Sequence, residues 1–368
     1  MGKSTNTNEN SHPEIPKECI AGVVKNEGPD FEIEVKKVPV PEIGPDDVLI
    51  KLNATGLCMS DVHFMLNDWS MPPMSAFGTV CAGHEGSGVI VKVGERVRNL
   101  TVGQRAGIKP IWDVCGICDQ CKNGRDNYCP KGKHTGLHVD GSYKQYITAP
   151  ERYTTIIPDG VDDHIAGPVM CSASTIYTAL KTSGLRAGQW ACFPGGGGGV
   201  GIQGVQLASA MGMRPIVVDT GAERKALVEE MGAEAFVDFK EVENPAAEVA
   251  KITGGGAHGV FVTAIQAYPT CLDYAGGRHE AVVVCIGLPP DGKFHIDVDP
   301  NRIAFLNQSI KGTLVSPQKD IDEALDFARR GKLHLKPTVV GLSKWNESIQ
   351  KLKRGQVAGS VITVISMI

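Results

Sequence analysis

The sequence predicts an α/β protein of two units: a β-rich part carrying metal ligands, then a doubly wound parallel sheet. Three observations carry this expectation. Cysteines and a histidine recur in the first half at spacings that suit metal ions. A run of five glycines, Gly195 to Gly199, stands between a strand-like and a helix-like segment. From about residue 167 short apolar runs alternate with helix-like stretches, where the first half shows strand and turn patterns instead.

A chain of 368 residues is too long for one ordinary core and suits two domains. Hydrophobic content of 42% with 21% charged residues fits a water-soluble globular protein. A net charge of -4 gives no reason to expect nucleic acid or an anionic membrane as partner. No apolar run approaches the ~20 residues that span a bilayer. The polar start, Met1 to Asn10, lacks the apolar core of a signal peptide, so residues 1–18 read as a flexible tail and the protein as cytoplasmic. Eleven cysteines without an export signal, four of them in one short loop, point to metal rather than disulfides.

In chain order, residues from about Cys19 to Val40 alternate and break at Gly28-Pro29 and Pro39, which reads as strands and turns. Asp47 to Leu52 is a strand leading to Gly56 and Cys58. Ser60 suits a helix N-cap, with Asp61 in the first turn of a short helix to about Leu66. Asp68 to Phe77, rich in Pro, Met and Trp, reads as loop, and Gly88 to Val93 as strand. In the second half, strands are expected at Trp190–Pro194, Pro215–Asp219, Ala235–Val237, Val260–Val262, Ala281–Ile286 and Ser309–Val315. Helices fall between them, at Val200–Met211 and Ala222–Met231, with another at about Ile321 to Arg330. The apolar strands are continuous, as in a sheet covered on both faces. Val357 to Val364 is a last strand, expected to rejoin the first unit.

Two metal sites are legible in the residue types. Gly83-His84-Glu85 places an imidazole beside a carboxylate among small residues. With Cys58 upstream and Cys171 downstream it gives two thiolates and one imidazole with a fourth position open, which is a catalytic zinc ligand set. Cys115, Cys118, Cys121 and Cys129 form a closed four-thiolate set, which is structural. Their loop has almost no apolar residues, so the ion would supply its folding energy.

The segment Gly196 to Gly201 satisfies G-x-G-x-x-G through Gly196, Gly198 and Gly201, with Gly199 and Val200 between. It follows a strand, opens a helix, and has Asp219 eighteen residues later at the end of the next strand. Such a loop lets a pyrophosphate approach the helix N-terminus, and the acid reaches the ribose hydroxyls. The Asp219 charge would repel a 2′-phosphate, which favours NAD over NADP. Arg224 and Lys225 weaken that inference, since either can reach an adenosine phosphate.

Taken together these motifs resemble the zinc-containing medium-chain alcohol dehydrogenases, close to their fungal, tetrameric branch. The likeness runs from about Cys19 to Val364 and includes Asp140-Gly141-Ser142-Tyr143 beside the sites above. It implies a GroES-like catalytic domain, residues 19–166, a Rossmann domain, 167–308, and a return segment, 309–368, that completes the first domain. It implies one catalytic zinc on Cys58, His84 and Cys171, with Glu85 behind it as an alternate ligand and Asp61 orienting His84. It implies a proton path from Ser60 to His63, Trp69 in the substrate pocket, and a structural zinc on the four cysteines. The reaction implied is hydride exchange between an alcohol and NAD, with aldehyde or ketone as product, in a homotetramer.

Three positions depart from the family pattern. Met59 and Ser360 stand where relatives commonly carry cations for the cofactor phosphates, which suggests weaker cofactor binding. Pro110 replaces a pocket aromatic and suggests room for alcohols larger than ethanol. Rival readings are a specialised dehydrogenase or reductase for a bulky or aromatic secondary metabolite, and a dinucleotide-binding protein without catalysis.

Overall fold

The computed structural model describes residues 14–365. Its second half is built on six parallel strands in the spatial order Ala235–Asp238, Arg214–Asp219, Trp190–Pro194, Gly259–Val262, Val282–Cys285 and Ser309–Gly312. The order reverses beside Trp190–Pro194, and ligands of doubly wound sheets bind at that switch point. Neighbouring residues of one strand serve opposite cores. Ala191 and Phe193 join Val217, Phe261 and Leu325 on one face, while Cys192 joins Ile216, Val218 and Val260 on the other. Burial on both faces is why these strands read as unbroken apolar runs.

The first half folds around a seven-stranded sheet. Asp47–Gly56 pairs antiparallel with Gly86–Val93, Tyr146–Pro150 and Val361–Val364. Gly86–Val93 continues to Arg105–Ile108 and then to Thr155–Ile156, and Thr338–Val340 lies outside Val361–Val364. A hairpin, Glu18–Lys25 with Glu32–Pro39, packs over it. The core there gathers Phe31, Ile50, Tyr143 and Trp345, the last from the amphipathic helix Trp345–Lys353.

Several expectations move. The strand Ser309–Gly312 is the edge of the parallel sheet, and helix Gln318–Arg329 packs Ile321 and Leu325 into the same core. The chain therefore crosses back after about residue 330, not at 308. The last strand starts at Val361 rather than Val357. Of the expected tail 1–18, residues 1–13 lie outside the described residues. Ile15 packs with Cys19, Leu49 and Tyr146, and the Lys17 carbonyl accepts the Val40 N–H, so 14–18 is anchored. The expected loop 68–77 ends in a 3₁₀ turn, Met74–Phe77. Among the described residues no helix is long and apolar enough to cross a membrane.

Candidate active site

Three elements deliver the first metal cluster. Cys58 leaves the central strand and is itself the N-cap of helix Met59–Leu66. Ser60 is therefore inside the first turn and not the cap, and the Cys58 side chain makes no cap hydrogen bond. His84 and Glu85 lead into strand Gly86–Val93. Cys171 sits in a π-helical turn, Val169–Ala173, between helices Asp163–Pro168 and Ser174–Ser183. Such wide turns recur at functional sites because they re-aim one side chain out of helical register. A Cβ at Gly56 would strike the Glu85 carboxylate, so a larger residue there would push Glu85 off its place in the cluster.

The donor atoms of Cys58, His84, Glu85 and Cys171 all lie within 4.8 Å of one another. His84 donates its Nδ1–H to Asp61 Oδ1 at 2.6 Å, which leaves Nε2 bare, 3.2 Å from the Cys171 sulfur. Asp61 is wholly buried, and it also accepts the Gly83 N–H at 3.0 Å and the Tyr143 hydroxyl at 3.2 Å. Asp61 thus holds the imidazole, and its placement is not that of a surface acid facing a helix dipole. The Cys58 thiol is held well below its ordinary range, chiefly by the Cys171 thiol and then by His84. The neighbouring Cys58 thiol and burial hold Cys171 well above its ordinary range. Burial pushes Glu85 well above the usual carboxylate range. A half-buried thiol, a buried thiol and a buried carboxylate in one cluster suit a cation that neutralises them. The soft sulfur and imidazole donors fit zinc.

In the second cluster the four sulfurs lie 3.5 to 4.0 Å apart along the contacts Cys115–Cys121, Cys118–Cys121, Cys118–Cys129 and Cys115–Cys129. A zinc tetrahedron with bonds of about 2.3 Å has edges of about 3.8 Å, so this set fits a closed site. Backbone N–H groups of Ile117 and Cys118 lower the Cys115 thiol to about 6, while burial raises Cys121 to about 12, so the fit to a closed site rests on the sulfur spacing. The lobe also reaches the pocket. Asn127 Nδ2 donates to the Leu314 carbonyl at 2.8 Å, and the Leu314 N–H donates to the Tyr128 hydroxyl at 3.3 Å. The next residue, Val315, has φ of 41°, a left-handed conformation that β-branched side chains rarely adopt.

The glycine loop opens helix Gly199–Ala210, with Gly198 as N-cap. A Cβ at Gly201 would collide with the backbone of Gly196, so this glycine seats the helix on the turn. Val200 lies in the first helical turn. Asp219 is buried at the end of its strand. Its carboxylate accepts the Gly197 N–H at 2.9 Å and pairs with Arg224 at 3.0 Å. Arg224 also donates to the Gly355 and Val357 carbonyls, so its guanidinium is engaged. Lys225 is exposed. Gly198 bridges to Gly359, whose N–H donates to the Gly197 carbonyl at 3.0 Å, and this places Ser360 beside Gly199. Met59, the other departure, is the first residue of its helix and 37% exposed.

Between the two halves lies a cavity of about 470 Å³ lined by Ser60, Phe64, Trp69, Met71, His84, Pro110 and His134 from one side, and by Leu288, Pro289, Leu314 and Val315 from the other. Trp69 stacks on His63 with centroids 4.7 Å apart and donates its indole N–H to the Pro289 carbonyl at 3.0 Å. His63 is buried, not a solvated loop histidine, and its Nδ1 lies 2.8 Å from Asp68 Oδ1. Asp68 and His134 were not singled out by sequence. Asp68 lies five residues past His63 in a stretch without periodicity, and His134 belongs to no motif. The short spacing after a helical histidine is the one signal that points to Asp68.

A dinucleotide fold with a sulfur–imidazole metal cluster at the cleft defines a two-domain, metal-holding dehydrogenase. The alcohol dehydrogenase GroES-like domain matches residues 44–159, and the zinc-binding dehydrogenase domain matches 199–330. Alcohol dehydrogenase 1 of Neurospora crassa is 37% identical over 353 residues, covering 95% of this chain and 98% of that protein. The alcohol dehydrogenase of Schizosaccharomyces pombe is 35% identical over 354 residues, covering 96% and 99%. The solved structure of acetophenone reductase from Geotrichum candidum, in complex with NAD, superposes with a TM-score of 0.80 at 25% identity, covering 96% and 98%. The chain belongs to the zinc-containing medium-chain alcohol dehydrogenases, in the branch of the fungal enzymes.

Proposed function

We propose that this protein is an NAD-dependent zinc alcohol dehydrogenase that interconverts alcohols with aldehydes or ketones. The observation that carries the reading is Ser60. Its hydroxyl lines the cavity beside His84 and lies 3.8 Å from the Cys58 sulfur, so a proton-transfer group stands at the edge of the metal cluster. When bound, zinc on Cys58, His84 and Cys171 would lower the pKa of the substrate hydroxyl, and nicotinamide would exchange hydride with its carbon.

The chain's own residues then do the following. Ser60 takes the hydroxyl proton during oxidation and returns it during reduction. His63 lies three residues on, on the same face of the helix. Asp68 holds its Nδ1, which leaves Nε2 to pass the proton on. No hydrogen bond joins Ser60 to His63 among the described residues, so a water or cofactor hydroxyl spans them. Asp61 keeps the His84 ring aimed through Nε2. The glycine loop and Ser360 receive the pyrophosphate, and Asp219 the ribose hydroxyls. The pairing of Asp219 with Arg224 softens its repulsion of a 2′-phosphate, so NAD is preferred over NADP by a finite margin. The cavity volume falls within the range of sites for organic ligands and suits alcohols larger than ethanol. We also infer a cytoplasmic homotetramer, a reading supported by the likeness to the fungal branch and tested by light scattering.

The experiment is initial-rate NAD⁺ reduction by zinc-replete protein with ethanol and benzyl alcohol, repeated with NADP⁺. Faster turnover of benzyl alcohol and preference for NAD⁺ are expected. Ser60→Ala is expected to lower kcat by about 10²- to 10⁴-fold, the usual scale of acid–base catalysis. Absence of NADH formation from every primary and secondary alcohol tried, at full zinc content, refutes the reading. Strict preference for ethanol refutes the enlarged pocket.

A further inference from the structure

The cavity wall is apolar except at a few points, and one of these has no assigned task. His134 lines the cavity along with Phe64, Trp69 and Pro110. Its backbone is fixed by pairing with Ile111 in a short antiparallel strand pair. The His134 N–H donates to the Nδ1 of His138 at 3.0 Å, and the His138 N–H donates back to the His134 carbonyl at 2.9 Å. The neighbouring His138 ring stands 5.5 Å from it and packs on Phe77. The ring is therefore positioned by its surroundings, yet neither ring nitrogen makes a hydrogen bond among the described residues. The ring is half-buried and water reaches it in the open cavity, so a ligand that fills the cavity displaces that water and loses affinity unless it replaces the hydrogen bonds.

We propose that His134 is a specificity-determining residue that receives a second polar group of the substrate, a hydroxyl or carbonyl remote from the reacting carbinol, so that the favoured substrates are diols, hydroxyaldehydes or similarly bifunctional alcohols. The inference rests on the alcohol dehydrogenase reading above and narrows it. Burial lowers the His134 imidazole to about 4, so the ring is neutral in the working range and offers one donor and one acceptor. It can therefore donate to a carbonyl or either donate to or accept from a hydroxyl. The cavity's remaining wall, Phe64, Trp69, Met71, Pro110 and Leu288, suits an apolar spacer between the two polar ends. A site with an unpaired polar group discriminates against an analogue that leaves it unpaired more strongly than an apolar pocket discriminates on size.

The test compares isosteric pairs in the zinc-loaded enzyme: 1,4-benzenedimethanol against 4-ethylbenzyl alcohol, and the corresponding 1,3-substituted pair. In at least one pair kcat/KM is expected to favour the diol by about tenfold, mostly through KM. His134→Leu is expected to bring that ratio to about one, and His134→Gln, which keeps a donor and an acceptor, to retain part of it. Calorimetry in the presence of NADH, with 4-(hydroxymethyl)benzamide against 4-ethylbenzamide as unreactive carbonyl analogues, should show the same ratio in binding. Equal kcat/KM within both pairs in the wild type overturns the inference while leaving the dehydrogenase reading intact. A ratio that survives in H134L also overturns it. No turnover of any of the four alcohols overturns the inference, and only the same silence with every other primary and secondary alcohol, ethanol included, removes the dehydrogenase reading as well.

Discussion

Replacing Asp61 by asparagine tests how the catalytic metal is held. The carboxylate is fully buried and accepts three hydrogen bonds, from His84 Nδ1, the Gly83 N–H and the Tyr143 hydroxyl. Asparagine can keep its oxygen toward His84 and Gly83 and turn its amide toward Tyr143, whose oxygen can accept. The geometry survives and the charge is lost. A carboxylate behind a metal-binding imidazole raises the basicity of the other ring nitrogen, and removing such a partner costs about 10- to 100-fold in metal affinity, or about 1.4–2.7 kcal/mol. Alanine is the less informative change. It orphans three buried donors at about 1–3 kcal/mol each, a large part of a typical stability margin of about 5–15 kcal/mol. The assay is zinc content by mass spectrometry during stepwise dialysis against a chelator, with activity followed in parallel. Wild type is expected to hold two zinc ions per chain. D61N should release one of them at about 10- to 100-fold lower chelator strength, together with activity, and keep the other. Release of both ions together, or of neither at shifted chelator strength, refutes the assignment of Asp61 to His84.

Other outcomes follow from the same geometry. Cys118→Ser together with Cys121→Ser should leave the 115–129 loop without its ion, detected as new proteolytic cleavage there. Because Asn127 and Tyr128 fix Leu314 at the cavity wall, KM for the alcohol should rise severalfold; an unchanged KM with the loop cleaved would separate lobe from pocket. Trp345→Ala removes a fully buried indole packed on Tyr143 and should destabilise by about 3–5 kcal/mol in urea unfolding. Lys109 is buried over the Tyr153 ring, and burial lowers its ammonium to about 7 from 10.5. The unfolded chain then binds more protons than the folded one between pH 7 and 10.5, so this group's contribution makes stability rise with pH across that window. Lys109→Met should therefore gain most over wild type at pH 7 and below and least near pH 10.5; a parallel pH profile for the two proteins would contradict the buried, depressed lysine.

The metal donors and the glycine loop were legible because their chemistry is local. A thiol or an imidazole announces its function by type, and Gly196, Gly198 and Gly201 by spacing. The parallel strands were legible because burial on both faces leaves no polar positions, as in Trp190–Pro194. What was not legible depends on long-range placement. Ser60 looks like a cap, but Cys58, two residues past the strand's end at Gly56, takes that position. The partner of His63 is an acid in an aperiodic stretch. Nothing near Lys133-His134 says that its ring faces the cleft, since this follows from pairing with Ile111 and from where the second domain rests. The sixth strand was legible at Ser309, but nothing local says that helix Gln318–Arg329 packs on the parallel sheet, so the crossing point near 330 was not.

The strand Val361–Val364 has a consequence for how the chain comes off the ribosome. It pairs with residues 54–56 and carries Thr338–Val340 on its other side, so the sheet that bears Cys58 and His84 stays open until about 300 further residues have been made. Domains ordinarily fold in the order of their synthesis, at about 5–20 residues per second. Here the later-made nucleotide fold has all six strands by residue 312, while the earlier one waits tens of seconds with the 54–56 end of its central strand unpaired on one edge. Nascent chains halted before residue 361 should expose that strand edge to chaperones, and the first domain's sheet should close last.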